Sequence, residues 1–128
     1  YHIPCLIYAP QLVKPRIEGR LVSQIDLAPT ILGLMNLSYT SRFFGYDINR
    51  LAPGKERVFI STYQDMGYIR DGKLVILSPQ RRVKTFRPDF TTGANVPEKV
   101  SDSLVNEAIS WYQGASFLYR SGWYKRVK

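Results

Sequence analysis

Residues 2–10 (HIPCLIYAP), 23–37 (SQIDLAPTILGLMNL) and 41–48 (SRFFGYDI) decide how this chain is read. The first holds a short apolar run over residues 3–8, with Pro4 near its start and Pro10 just beyond it. The run is nearly continuous rather than alternating, which predicts a strand buried on both faces, as in a sheet covered by helices. Pro4 has no N–H to give to a ladder, so it belongs at the strand's first positions. A connector bearing basic residues, Pro and Gly follows over 14–20. Asp26 then stands where its carboxylate can accept the orphan N–H groups of a first helical turn. Pro29 still falls within that turn, where its missing N–H costs little. Leu27, Ile31, Leu34 and Met35 recur at helical spacing and predict one apolar stripe, with Asn36 as a C-terminal stop. Residues 37–47 read as a loop rich in aromatics.

The pattern changes after a turn at Pro53-Gly54-Lys55. Apolar runs over 58–63, 66–70 and 73–78, and a further one over 83–86, predict an antiparallel meander. Its surest element is a hairpin at Asp71-Gly72, a favoured two-residue turn. After a loop at 88–95, Asn95, Pro97 and Glu98 resemble a helix start with a capping box. Val100, Leu104, Ala108, Trp111, Ala115 and Leu118 follow at helical spacing, and Gly122 is placed to end the helix. One long amphipathic helix covering a small sheet is the economical reading, with the final basic residues fraying.

The three opening segments, in this order, resemble the closing part of a sulfatase-like catalytic domain of the alkaline phosphatase superfamily. The closest branch is that of lipoteichoic acid synthase-like phosphoglycerol transferases and phosphoethanolamine transferases. That branch carries a strand of the type (R/H)-(I/V)-P-x-x-I-Y-x-P, a helix of the type S-x-I-D-x-A-P-T, and a loop F-F-G-x-D. Here they are His2-Ile3-Pro4 with Ile7-Tyr8-Ala9-Pro10, Ser23-Gln24-Ile25-Asp26-Leu27-Ala28-Pro29-Thr30, and Phe43-Phe44-Gly45-Tyr46-Asp47. The match is dense to about residue 50 and thin beyond.

The resemblance implies an α/β fold: the C-terminal portion of an alkaline phosphatase-like α/β/α domain, with a small antiparallel sheet covered by a C-terminal helix. Residues 1–52 would end the catalytic domain and 53–128 would form a C-terminal subdomain. It further implies a parent enzyme using a divalent metal (Mn, Mg or Zn), with the metal ligands and a Thr, Ser or modified Cys nucleophile mostly upstream. The start at Tyr1, without Met, fits a piece of a longer polypeptide. In such a parent a metal-activated Thr or Ser attacks a phospholipid headgroup phosphate, and a glycan or lipid acceptor resolves the phospho-enzyme. Sulfate-ester hydrolysis on the same fold is an alternative, since the nucleophile lies outside this chain. The implied partners are the upstream catalytic part and the phospholipid headgroup and acceptor. The implied location is a bacterial cell envelope, with a membrane-anchored parent and this part extracytoplasmic.

His2 is the catalytic candidate. At this His-x-Pro position a phosphoethanolamine transferase carries an active-site His close to metal and phosphate, where a cationic ring neutralises charge on a phosphoryl oxygen; the plain alternative is an exposed His without a task. Asp26, Asp47 and Asp65 are carboxylates that a hard cation would accept, but no two share ligand spacing on one element, and capping and turn roles are favoured. Tyr39, Phe43, Phe44 and Tyr46 either dock their loop or line a lipid- or sugar-facing rim. Cys5, the single cysteine, reads as a small core residue. One His and one Cys are too few for a zinc finger, no Ser-His-Asp set is assembled around His2, and no phosphate-binding Gly loop is present.

A 45% hydrophobic and 22% charged composition is that of a folded domain rather than a disordered chain. No apolar run approaches the ~20 residues of a membrane helix. The net charge of +8, from 18 Lys and Arg against 10 acids, raises affinity for anionic surfaces. A non-catalytic basic module is therefore a further alternative. The basic blocks are short and carry no nucleic-acid fold signature, so nucleic acid is not an expected partner.

Overall fold

The tight turn at Asp71-Gly72 organises the sheet. In the computed structural model, which describes residues 2–42 and 44–125, both turn residues have positive φ (50° and 68°). That conformation matches the right-handed twist of the flanking strands. The turn joins β2 (Met66–Arg70) to β3 (Lys73–Ser78), and Arg70 faces Lys73 as the pair that closes the hairpin. β1 (Arg57–Ser61) adds on one side, and β4 (Arg82–Pro88) and β5 (Asn95–Pro97) on the other. The five strands lie in chain order, each antiparallel to the next.

Register places Phe59, Tyr68, Val75 and Thr85 in one row across the sheet. That row lies beneath α2 (Asp102–Arg120), and Tyr68, Val75, Val100, Leu104 and Ala108 form the buried core. Phe59, Leu77, Val105 and Trp111 pack around it. The expected helix-on-sheet unit is present, with Val100, Leu104, Ala108 and Trp111 of the expected stripe in contact, while Ala115 and Leu118 are not part of the core. The adjacent row, Val58, Ile69, Leu74 and Phe86, projects to the opposite side of the pleat. α2 ends at Arg120, and Gly122 (φ 65°) follows in the left-handed region, as anticipated. A 3₁₀ turn, Trp123–Lys125, comes next. The fraying expected of the last basic residues falls on 126–128, outside the described residues.

Three expectations are corrected. The helix does not start at Asn95-Pro97: these residues form β5, and α2 begins five residues after Pro97, capped by Ser101. The residue before a proline is pushed to extended backbone, and a Pro is tolerated on an edge strand. Glu98 does not cap; it pairs with Lys73 and Arg87, and its backbone exchanges hydrogen bonds with Thr85.

Residues 3–8 form no strand here, and Leu6 and Tyr8 are 91% and 85% exposed. An apolar run becomes a strand only beside a partner. None of the five strands pairs with residues 3–8, and Ser23 Oγ takes the outward Phe59 N–H of edge strand β1. Cys5, expected in a core, is consequently exposed.

The third correction concerns α1 (Leu27–Leu34), which follows a 3₁₀ turn, Gln24–Asp26. Its buried residues are Pro29 and Thr30, whereas Ile31 and Met35 are exposed. Polar anchors rather than the apolar stripe choose the inward face. Asn36, at φ 53°, is the stop its residue type suggested.

Trp111 joins the sheet to the loop before it, with ring centroids 5.5 Å from Phe59, 6.0 Å from Phe44 and 6.5 Å from Tyr46. Trp111→Ala should therefore destabilise the fold by about 3 kcal/mol, the low end for an aromatic removed from a core, because the ring is partly buried. Urea melts of wild type and variant measure it; a loss under about 1 kcal/mol would place the ring outside the core.

Candidate functional site

Asp26 and Arg57 meet at the junction of the first segments and the sheet, with side chains 1% and 3% exposed. The spacing of Ser23, Asp26 and Thr30 explains one half of this junction. Ser23 precedes the 3₁₀ turn in extended conformation, and its N–H donates to Asp26 Oδ2 at 3.0 Å. Thr30, one helical turn beyond Asp26, donates its hydroxyl to the Asp26 carbonyl (2.6 Å) and accepts the Ile48 N–H (3.1 Å).

The loop supplies the other half. Tyr46 N–H donates to Asp26 Oδ1 at 2.8 Å, and Arg57 Nη2 donates to the Phe44 carbonyl at 2.7 Å. Arg57 Nη1 lies 2.9 and 3.1 Å from the two Asp26 oxygens. Gly45 is required between them, since a Cβ there would fall 1.9 Å from the Ile25 carbonyl oxygen. The guanidinium stacks on Tyr46, 4.1 Å from the ring centroid, with Trp111 at 5.8 Å. A buried ion pair of this kind has its remaining lone pairs and donors satisfied, apart from Arg57 Nε.

Beside the junction, the end of α1 and residues 46–52 border an open cavity of about 590 Å³. Tyr39, Tyr46, Asp47, Arg50, Ser38 and Ser41 contribute to its lining. Asp47 Oδ1 accepts the Asn49 N–H (3.0 Å), and Arg50 Nε lies 3.6 Å from Oδ2. The Asp47 carboxylate sits against Gly33, where a Cβ would come within 2.2 Å of Oδ2. The connector is tied to the same wall: Arg20 donates to the Ile48 and Leu51 carbonyls, and its guanidinium holds the Glu18 carboxyl down at about 2.

A second polar group lies against α2. Tyr68 Oη donates to Glu107 Oε1 at 2.9 Å, and Arg70 pairs with the same oxygen. Burial, and then the Glu107 carboxylate, push the Tyr68 hydroxyl up to about 12. Burial alone does the same to Tyr112, whose hydroxyl donates to the Gly67 carbonyl at 2.7 Å.

The structure sorts the residues singled out from sequence. His2 is exposed, in the stretch without regular structure. Asp26 does not cap α1 as expected: its carboxylate accepts no N–H from that helix, reaching back to the Ser23 N–H instead, and its principal partner is Arg57. Asp47 and Asp65 serve turns, Asp65 through its N–H to Thr62 Oγ1. Among the described residues, no three His, Cys, Asp or Glu side chains gather to hold a metal. The aromatic loop divides: Phe44 docks on Trp111, Tyr39 and Tyr46 line the cavity, and Phe43 lies outside the described residues. Arg57 carries no local signal in sequence; beside Glu56 it reads as an ordinary strand-edge charge.

Arg57→Ala should cost about 3–5 kcal/mol, because it strands a buried carboxylate. A double variant, Asp26→Leu with Arg57→Met, should lose less than the sum of the single changes in urea melts; additive losses would mean that the two side chains do not interact. Alkali provides a further check. Tyr68 and Tyr112 sit near 12 when folded against an ordinary 10, so the unfolded chain gives up these protons first. Their contribution to stability is complete below pH 10 and disappears as pH rises toward 12. Tyrosinate absorbance should show a late-titrating component from Tyr68 and Tyr112, and Tyr112→Phe should diminish it.

No protein-family model matches the chain. A solved structure does: a protein in the alkaline phosphatase superfamily from Vibrio parahaemolyticus, with 31% sequence identity and a TM-score of 0.82. The match covers 88% of this chain and 28% of that one, so the chain spans a little over a quarter of its neighbour's length. This likeness in both sequence and fold supports the alkaline phosphatase superfamily for the chain, and its α/β architecture is that of a fragment of an alkaline phosphatase-like domain.

Proposed function

We propose that the chain is the C-terminal part of a metal-dependent, sulfatase-like enzyme that transfers phosphoglycerol or phosphoethanolamine from a phospholipid to a cell-envelope acceptor. Residues 1–52 would close the catalytic domain and 53–128 would form its C-terminal subdomain. The observation that carries the reading is the ordered set of motifs in the first 50 residues. Two of the three are mutually dependent in space: Asp26 and Thr30 accept the N–H groups of Tyr46 and Ile48, and Gly45 lies against the Ile25 carbonyl.

Two further observations support it. The likeness to a much longer superfamily protein fits a chain that is one piece of a larger enzyme. Ile3, Leu6, Leu12 and Ile17, with Ile31 and Met35 of α1, are exposed apolar side chains on the first segments. Such a surface fits cover by other parts of a longer polypeptide. Among the described residues no three His, Cys, Asp or Glu side chains gather to hold a metal, and the reading places the ligands upstream. No helix among the described residues is long and apolar enough to cross a membrane. His2 would act from the catalytic side, steadying charge on the transferring phosphate.

The test is transfer of labelled headgroup from phosphatidylglycerol or phosphatidylethanolamine by the full-length parent with Mn, Mg or Zn. The parent should turn over, the 128-residue chain alone should not, and His2→Ala in the parent should lower transfer by about ten- to a thousandfold, the cost of one electrostatic donor. Release of sulfate from an aryl sulfate without headgroup transfer would instead assign hydrolysis. Unchanged kinetics in the His2 variant would remove it from the site.

A further inference from the structure

We infer that the cavity between the end of α1 and residues 46–52 is a binding site for an uncharged pyranose sugar. This assignment does not depend on the transfer reaction proposed above. The volume, about 590 Å³, lies within the ~300–1,000 Å³ typical of small-ligand sites. Its lining combines two aromatics with a carboxylate, a guanidinium and two hydroxyls, the set that recognises a ring with apolar C–H faces and a polar rim.

Tyr39 and Tyr46 are 41% and 40% exposed, so each offers surface to a ligand. Tyr46 is held in place before any ligand arrives. Arg57 covers one ring face at 4.1 Å, Trp111 meets it edge-on, and its N–H is bound to Asp26. A preset aromatic wall loses little freedom on binding.

Asp47 supplies the hydrogen-bonding specificity. An ionised carboxylate has about four acceptor sites; the Asn49 N–H takes one, and Arg50 Nε, at 3.6 Å, stands beyond hydrogen-bond length. The side chain is only 13% exposed and seated on Gly33, so its oxygens are fixed rather than swinging in solvent. Fixed oxygens beside a guanidinium suit the alternating donors and acceptors of vicinal hydroxyls. The same pair decides against an anion. Asp47 and Arg50 offset each other's charge, so a phosphate would gain from one and be repelled by the other.

The 128-residue chain tests this by backbone-amide NMR titration with methyl α-glucopyranoside and methyl β-galactopyranoside. At the efficiency usual for small ligands, Kd should be on the order of 1 mM, with shifts centred on residues 36–52. Asp47→Asn keeps the shape and should weaken binding about tenfold by replacing charge-assisted hydrogen bonds with neutral ones. Tyr39→Leu, a change at a half-exposed wall, should also weaken it and carries the test if the Asp47 variant is unfolded. Inorganic phosphate and glycerol phosphate should leave residues 36–52 unmoved. No shift with either glycoside, shifts elsewhere on the surface, tighter binding of phosphate at this site, or unaltered affinity in folded variants would each overturn the assignment.

Discussion

The buried pair between Asp26 and Arg57 is the constraint on which the other contacts depend. Two charges removed from water are tolerated only when nearly every donor and acceptor around them is paired. Here that requirement fixes three chain segments at once. The turn before α1 must present Ser23 N–H and the helix must begin at that angle, the loop must bring the Phe44 carbonyl and Tyr46 N–H to opposite sides of the pair, and β1 must start at Arg57. The face that α1 turns inward then follows from Asp26 and Thr30, and its aliphatic side chains go where those anchors leave them. A hydrophobic contact would have tolerated several orientations; a satisfied ion pair tolerates few.

Around this polar centre the aromatic side chains act as a seal. Tyr46 and Phe59 flank the guanidinium, and Trp111 reaches over both from α2. The helix therefore serves two neighbours along its length. Its first turns, through Leu104 and Ala108, cover the centre of the sheet, while Trp111 and Tyr112 reach β1 and the loop. Low local dielectric strengthens the ion pair and raises the tyrosine hydroxyls by the same mechanism, since each resists placing new charge away from water.

What was legible in the sequence was local. The Asp71-Gly72 hairpin could be read because two adjacent residues determine its backbone, and the α2 stripe because its period is internal to one helix. The start of α2 was misplaced because Pro97 and Glu98 resemble a cap equally well on an edge strand, and only pairing with β4 distinguishes them. The apolar run at 3–8 reported its content correctly but could not report whether a neighbouring strand exists. Arg57 was invisible because its meaning lies in a carboxylate 31 positions away. The split of the aromatic loop into docking and cavity-lining members was also beyond reach, because it depends on where Gly45 presses the backbone against Ile25. His2 is exposed outside the regular elements, and the role given to it rests on resemblance alone.

A sheet whose spatial order equals its chain order has a kinetic consequence. Every strand pairs with its sequence neighbour, and α2 returns directly onto the strands just completed. Pairing the strands closes only short loops, a topology that favours rapid assembly, whereas docking α2 closes loops of 39 to 52 residues onto β1 and β2. The Asp26–Arg57 pair spans 31 positions, more than any strand pairing but fewer than the 39 between Tyr68 and Glu107 on α2, and the aromatic seal over it needs both sheet and helix. The dry site the ion pair needs is thus built by side chains from both ends of the chain, Tyr46 before the sheet and Trp111 after it.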